Sequence, residues 1–280
     1  MWTREQLKTQ AKEILKNTYW WAFLVCFVFT IIAGIGAGNT NYSSSLQSIT
    51  NRTDKISQTH IIDVDDLNID GMSAKDKQEL QQMIDQMINP ISIGVGVAGM
   101  ILSLIVSLFK FAYNIFVSNP LTVGYNKYFI LQHDGQVDFV KLFSGFTGGK
   151  YWARVKVMFF HSLYIFLWSL LFIIPGIIKT YSYFMVPYIL ADNPDISKDR
   201  AFEISMKTMD GEKFDLFVLE LSFLGWQLLG LLACCIGTYF VNPYVKTTMC
   251  ELYLVMRQKA LDRGIATPAD FNLPEAIESV

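Results

Sequence analysis

The sequence predicts an all-α polytopic membrane protein with about six transmembrane helices, arranged as three helical hairpins that are each preceded by an amphipathic interfacial helix. Three observations predict it. The 280 residues are 52% hydrophobic and only 17% charged, against roughly 25% charged residues in soluble domains. Apolar runs long enough for the roughly 30 Å hydrocarbon layer recur along the chain. Basic residues flank those runs while acidic ones concentrate between Asp54 and Asp85, so the net charge of −2 conceals a segregation. The mean hydropathy of +0.31 points the same way, and this charge balance argues against a nucleic-acid partner.

The elements follow in order. Thr3 and Gln6 form a capping box ahead of Leu7, Ala11, Ile14 and Leu15 on one face, with Lys8, Lys12 and Lys16 on others. Residues 1–18 therefore read as a cytoplasmic amphipathic helix. Tyr19-Trp20-Trp21 is an aromatic belt that opens a first span over 19–38. No small-residue cleavage site follows that run, so it reads as a retained span. Residues 39–90 form a polar, acidic extracytoplasmic loop ending in a short amphipathic helix from Ser73 to Ile88.

Residues 91–260 make up the remaining membrane domain. The run from Ile91 past Lys110 to Val117 is expected to break at Asn119-Pro120 and continue helically to about Gln132. Asp138 caps an interfacial helix near 138–147. Lys150-Tyr151-Trp152 opens a third span to Ile174, which Pro175-Gly176 turns back as a fourth, over 177–191. That stretch reaches only about 22 Å. Ser197 caps another amphipathic helix near 197–209, with Phe202, Met206 and Met209 on one face. A fifth span starts at Phe214, and its partner is expected to break at Gly237 and Asn242-Pro243 before Arg257. Residues 261–280 are expected to be a disordered cytoplasmic tail.

The order of amphipathic helix, aromatic entry, apolar span and proline break occurs three times, with entries at Tyr19-Trp20, Tyr151-Trp152 and Lys213-Phe214. Lysines and arginines gather at those entries and are scarce in the tight hairpins. The positive-inside rule then puts both termini in the cytoplasm of a multi-pass cell-membrane protein.

Function is less legible. Lys110, Lys179, Glu220, Lys246 and Glu251 are ionisable residues inside apolar runs, where each needs a partner or a polar cavity. They either line a pathway, as in a transporter or channel, or pack and snorkel. Pro120, Pro175, Gly176 and Pro243 mark the hairpin breaks. Lys8, Lys12, Lys16, Lys198, Arg200 and Lys207 are the candidate lipid-facing basic residues. His60, His133 and His161 share no metal-ligand spacing and no nucleophile elbow appears, so the reading is non-enzymatic, without cofactor or metal. Cys26, Cys234, Cys235 and Cys250 all lie in apolar runs and read as small fillers. The expected partners are membrane lipids, anionic ones included, and a second copy or other envelope proteins.

The stretch LWSLLFIIPGIIKTYSYFMVPYILADNPDIS, with the N-terminal REQLKTQAKEILKNTYWWAFLV and the segments NPLTVGYNKYF and LFSGF, resembles the domain-of-unknown-function family 975. The likeness covers nearly everything outside Asn39 to Pro90. It implies an integral membrane protein of bacterial type, and it brings no activity, substrate or catalytic residue with it. A distant similarity to membrane domains attached to some glycerophosphodiester phosphodiesterases points towards lipid or envelope biology.

Overall fold

The computed structural model describes residues 2–37, 73–232 and 236–274. The chain divides into two compact units, one of residues Ala37–Ala112 and one of Met1–Gly36 with Tyr113–Val280. Helix α1 spans Arg4–Ala37 and starts at the expected capping box, where the Thr3 N–H donates to Gln6 Oε1 at 3.1 Å and the Gln6 N–H to Thr3 Oγ1 at 3.3 Å. It runs unbroken through Asn17, so the expected surface helix and first span are a single rod about 51 Å long. No glycine or proline stands at the junction to stop it. Helix α2 spans Ala74–Tyr113 and passes through Pro90, making one element of the expected amphipathic helix and the following apolar run. Most of the expected acidic loop, residues 38–72, lies outside the described residues.

A π-helical segment, Asn114–Ser118, leads directly into α3, Asn119–His133. Pro120 is therefore not a chain reversal. Proline lacks an N–H and leaves the carbonyl four residues earlier without its helical donor, and the Tyr151 hydroxyl fills that place by donating to Phe116 O at 2.6 Å. The interfacial helix expected near 138–147 is a single 3-10 turn, Phe139–Phe143, capped by Asp138. It lies backbone against backbone on α3: a Cβ on Gly124 would sit 2.0 Å from Leu142 O, and one on Gly145 would sit 1.8 Å from Pro120 O. The buried Arg154 guanidinium holds the exit of this turn by donating to the carbonyls of Ser144, Gly145 and Thr147.

Helix α4, Tyr151–Leu171, and helix α5, Ile173–Ser182, are separated by Phe172 alone, in extended backbone. The reversal thus precedes the expected Pro175-Gly176, which falls in the first turn of α5, where a missing N–H is tolerated. Gly176 packs tightly on Ser169, whose Oγ would be 2.4 Å from an added Cβ. Moving the break to Phe172 lengthens the fourth stretch to 20 residues, Ile173–Asp192, about 30 Å if wholly helical. It has a bend before α6, Val186–Asp192. Ser205 stabilises the bend, its hydroxyl donating to Ser182 O at 2.8 Å and accepting from the Met185 N–H at 3.2 Å. That is the condition for irregular backbone away from water.

Helix α7, Lys198–Thr208, begins at Ser197, whose side chain accepts from the Arg200 N–H. Helix α8, Lys213–Leu232, pairs with α9, Ile236–Asp262. Helix α8 ends at Leu232 and α9 starts at Ile236, so the expected breaks at Gly237 and Asn242-Pro243 both lie inside α9. The Tyr19 hydroxyl donates to Phe240 O at 2.9 Å and so ties α1 to α9 one residue past Tyr239, whose carbonyl Pro243 leaves without a helical donor. The expected disordered tail instead carries a 3-10 turn, Pro268–Phe271, with a Thr267–Asp270 capping box and a buried Phe271. Cys26 and Cys250 are buried free thiols; Cys234 and Cys235 lie outside the described residues.

Among the described residues, five helical stretches are long and apolar enough to cross a membrane: Arg4–Gly34, Val97–His133, Tyr151–Leu171, Ile173–Asp192 and Lys213–Leu232. Leu170, Ile173 and Ile174 at the α4–α5 reversal and Leu228, Leu231 and Leu232 on α8 are exposed. The core gathers at the opposite, charged end, around Leu7, Leu121, Tyr128, Ile189, Ile204 and Tyr253. The molecule is an all-helical, polytopic membrane protein.

Candidate functional site

The buried polar centre of the larger unit lies where α3, α6 and α9 meet. Helix α6 ends at Asp192 because Asn193-Pro194 cannot continue it, and Asn193 instead accepts from the Asp195 N–H in a local turn. A carboxylate at a helix C-terminus faces the negative end of the dipole. Asp192, only 5% exposed, is stabilised by groups from the two neighbouring helices. Tyr253 donates its hydroxyl to Oδ2 at 2.7 Å, Arg257 Nη1 donates to the same oxygen at 2.8 Å, and Lys127 Nζ lies 3.5 Å from Oδ1. The Tyr188 and Tyr253 rings stack at 4.9 Å beside it. Glu251, 2% exposed, binds His133 Nδ1 at 2.8 Å. Gln132 Nε2 donates to Thr18 Oγ1 at 2.7 Å and so ties α1 to α3.

Of the five ionisable residues singled out in apolar runs, Lys110 lies in the smaller unit. Three of the other four have an aromatic ring or a hydroxyl as their partner, and the fourth, Glu251, has a histidine. Lys179 sits over the Trp168 ring at 5.0 Å and Tyr183 at 5.7 Å, Glu220 accepts from the Tyr181 hydroxyl at 2.8 Å, and Lys246 sits 5.7 Å from the Tyr125 ring. Glu251 takes His133. The hub residues Lys127, Asp192, Tyr253 and Arg257 were not legible as a group; the only local hint was an acidic residue closing a helix in the DNPD exit.

The six basic candidates divide. Lys8 lies over Phe223 at 4.6 Å and Lys12 near Tyr244 at 5.9 Å, while Lys16 is exposed. Lys198 bonds the Tyr164 hydroxyl and Lys207 pairs with Glu203. Arg200 is committed to the protein: it donates to both oxygens of Asp270, to Glu203 and to Ile265 O. The Asp270 pair holds the guanidinium above its ordinary pKa and, with Thr267, holds the Asp270 carboxyl below its own. Glu212 makes a second clamp, accepting from Trp2 Nε1 at 2.7 Å and from Lys259. Burial alone pushes its carboxyl upward, but the Lys259 and Trp2 bonds outweigh this and the net shift is downward.

The end of α4, then α5 to α8 and most of α9 form the stretch with a family match. Residues 170–260 align to Protein of unknown function (DUF975). DUF975 is a family of bacterial integral membrane proteins of unknown function. The DUF975 match takes in Asp192, Tyr253 and Arg257 of the hub, whereas Lys127 lies before it. No curated protein and no solved structure matches the chain.

Proposed function

We propose that this chain is a non-enzymatic plasma-membrane scaffold that engages anionic lipid through an aromatic and basic girdle. One observation carries the reading. The aromatic entries Trp20 and Trp152 are 72% and 70% exposed, each with lysines nearby in sequence, Lys16 and Lys150 with Lys156, and Lys213 opens α8 on the same cytoplasmic side. Exposed aromatics with adjacent lysines are the composition of a membrane interface. The girdle then faces the cytoplasm together with both termini, and α9, whose polar side chains turn towards α3 and α6, is the sixth crossing. In this reading the three recurring units are α1 with α2–α3, α4 with α5–α6, and α8 with α9.

The alternative, a transporter or channel, draws on Glu220, Lys246 and Glu251. The protein partners of these groups favour the scaffold, because a charge that lines a pathway is served by water and substrate. A second copy or another envelope protein is the partner class for the exposed apolar face of α8.

Spin-labelled phosphatidylglycerol and phosphatidylcholine, compared on the reconstituted protein, test the girdle. A preference for phosphatidylglycerol that falls when Lys150, Lys156 and Lys213 are all changed to Gln is expected. An unchanged preference removes the electrostatic part. Ion flux into proteoliposomes that disappears in Glu220→Gln would establish the alternative instead.

A further inference from the structure

A groove of 490 Å³ opens between α1, α8 and α9, with Tyr19, Trp226, Val241 and Tyr244 on its walls and Lys12 and Lys16 at its rim. Phe240 lines it as well, and stacks at 4.9 Å on Phe23, one turn past Tyr19 along α1. We propose that this groove is a specific binding site for one anionic phospholipid, with the phosphate held by Lys12 and Lys16 and the start of an acyl chain laid against Trp226 and Val241. The inference rests on the reading that Tyr19 and Trp20 mark the membrane surface.

Three features fit that occupant. The charges lining the groove are both positive among the described residues, and Lys12 and Lys16 are four residues apart, so they share one face of α1. Charge and apolar surface follow one another along α1. Lys16 and Lys12 precede Tyr19 by three and seven residues, about 5 and 10 Å along the helix, which brings their side chains to a headgroup layer about 5–8 Å deep. A soluble anion would leave the apolar walls unused, and an uncharged chain would leave the lysines unused. The walls are also braced: the Tyr19 hydroxyl is held on Phe240 O, and Leu15 beneath is buried. The groove is therefore formed before the lipid arrives, which lowers the ordering cost of binding.

Native mass spectrometry of the full-length protein, titrated with phosphatidylglycerol or phosphatidylcholine, tests the site. One phosphatidylglycerol held in clear preference to phosphatidylcholine is expected. Lys12→Gln with Lys16→Gln should weaken it about 30-fold, a factor of roughly five for each lysine near the surface. Val241→Trp fills the groove with both lysines intact and should abolish the retained lipid as well. The triple Gln variant at Lys150, Lys156 and Lys213 should keep it. Thermal unfolding establishes that each variant is folded.

Wild-type retention of Val241→Trp, or equal retention of the two lipids, overturns the groove and leaves the girdle standing. Loss in the triple variant as large as in the groove variants overturns it too, by making the effect a property of total charge. Dimers in place of lipid, abolished by Val241→Trp, would assign the groove to a second copy. Conversely, a groove that passes while the spin-label preference ignores the triple variant would sink the girdle alone.

Discussion

The charged end of the larger unit and its hairpin tips reverse the usual relation between polarity and burial. At the charged end Asp192, Glu251 and Arg154 are buried while Lys12 and Lys16 are exposed; at the tips Leu170, Ile173, Ile174 and Leu232 stand fully outside. In water alone the tips would form an apolar patch far larger than a soluble protein carries. The two regions are built for different solvents. Lipid makes burial of the tip residues unnecessary, and that frees the buried volume at the other end for a polar network that specifies how α3, α6 and α9 meet.

The largest effect that would sharpen the contrast comes from the hub. Asp192→Ala removes the acceptor of Tyr253 and Arg257 and the neighbour of Lys127, leaving a buried hydroxyl and two partly exposed cations without the carboxylate they surround. Breaking a buried ion pair from one side costs about 3–5 kcal/mol, so the variant should unfold far earlier in a thermal scan in detergent. An Asp192→Ala protein as stable as the parent would mean that the charged end is not organised by this residue.

Next in size is a matched pair of isoleucines. Ile189 of α6 is fully buried, whereas Ile174 of α5 is exposed at the tip. Ile189→Ala should cost about 2–5 kcal/mol through lost burial and a cavity. Ile174→Ala should stay within about 0.5 kcal/mol. Equal losses would show that the tips pack against protein, in an oligomer for instance, and the two-solvent picture would fail.

A smaller effect, about 1–3 kcal/mol, is expected of Ser205→Ala, which leaves the Ser182 carbonyl and Met185 N–H unpaired in a buried bend. Hydrogen exchange should then rise first at the α5–α6 bend. Unchanged protection there would mean that water already serves those groups.

How much the sequence disclosed follows the same division. Local signals were readable: the Thr3–Gln6 box, the Asp138 cap and the Ser197 cap each act within three residues, and all three form. Apolar runs gave the helices themselves. Break positions were not readable, because proline's effect depends on what stands opposite. Tyr151, from distant sequence, supplies the donor that lets the helix continue past Pro120. Pro175 failed as a marker because a first-turn proline breaks nothing. The hub needed knowledge of which helices meet. The Thr267–Asp270 box, by contrast, is local, yet it stands in a polar tail whose composition reads as disorder.

The turn that this box caps gives the smallest and most specific prediction. Arg200 and Asp270 fasten the C-terminal 3-10 turn to α7, and the Asp270 carboxyl titrates below its ordinary value of 3.8. A carboxyl whose folded pKa is depressed stabilises the fold fully above its unfolded pKa and ceases to do so as pH falls through the folded value. Arg200 stays protonated throughout that range, so only the aspartate switches. The difference in stability between the parent and Asp270→Asn should be about 1 kcal/mol near neutral pH, since the pair is partly solvated. It should shrink progressively below the ordinary value and vanish in stronger acid. Paired thermal scans across that window read the difference directly and cancel the titration of Glu212 and other carboxylates common to both proteins. A difference that stayed constant with pH would mean that Asp270 acts through shape and its Thr267 cap rather than through its charge.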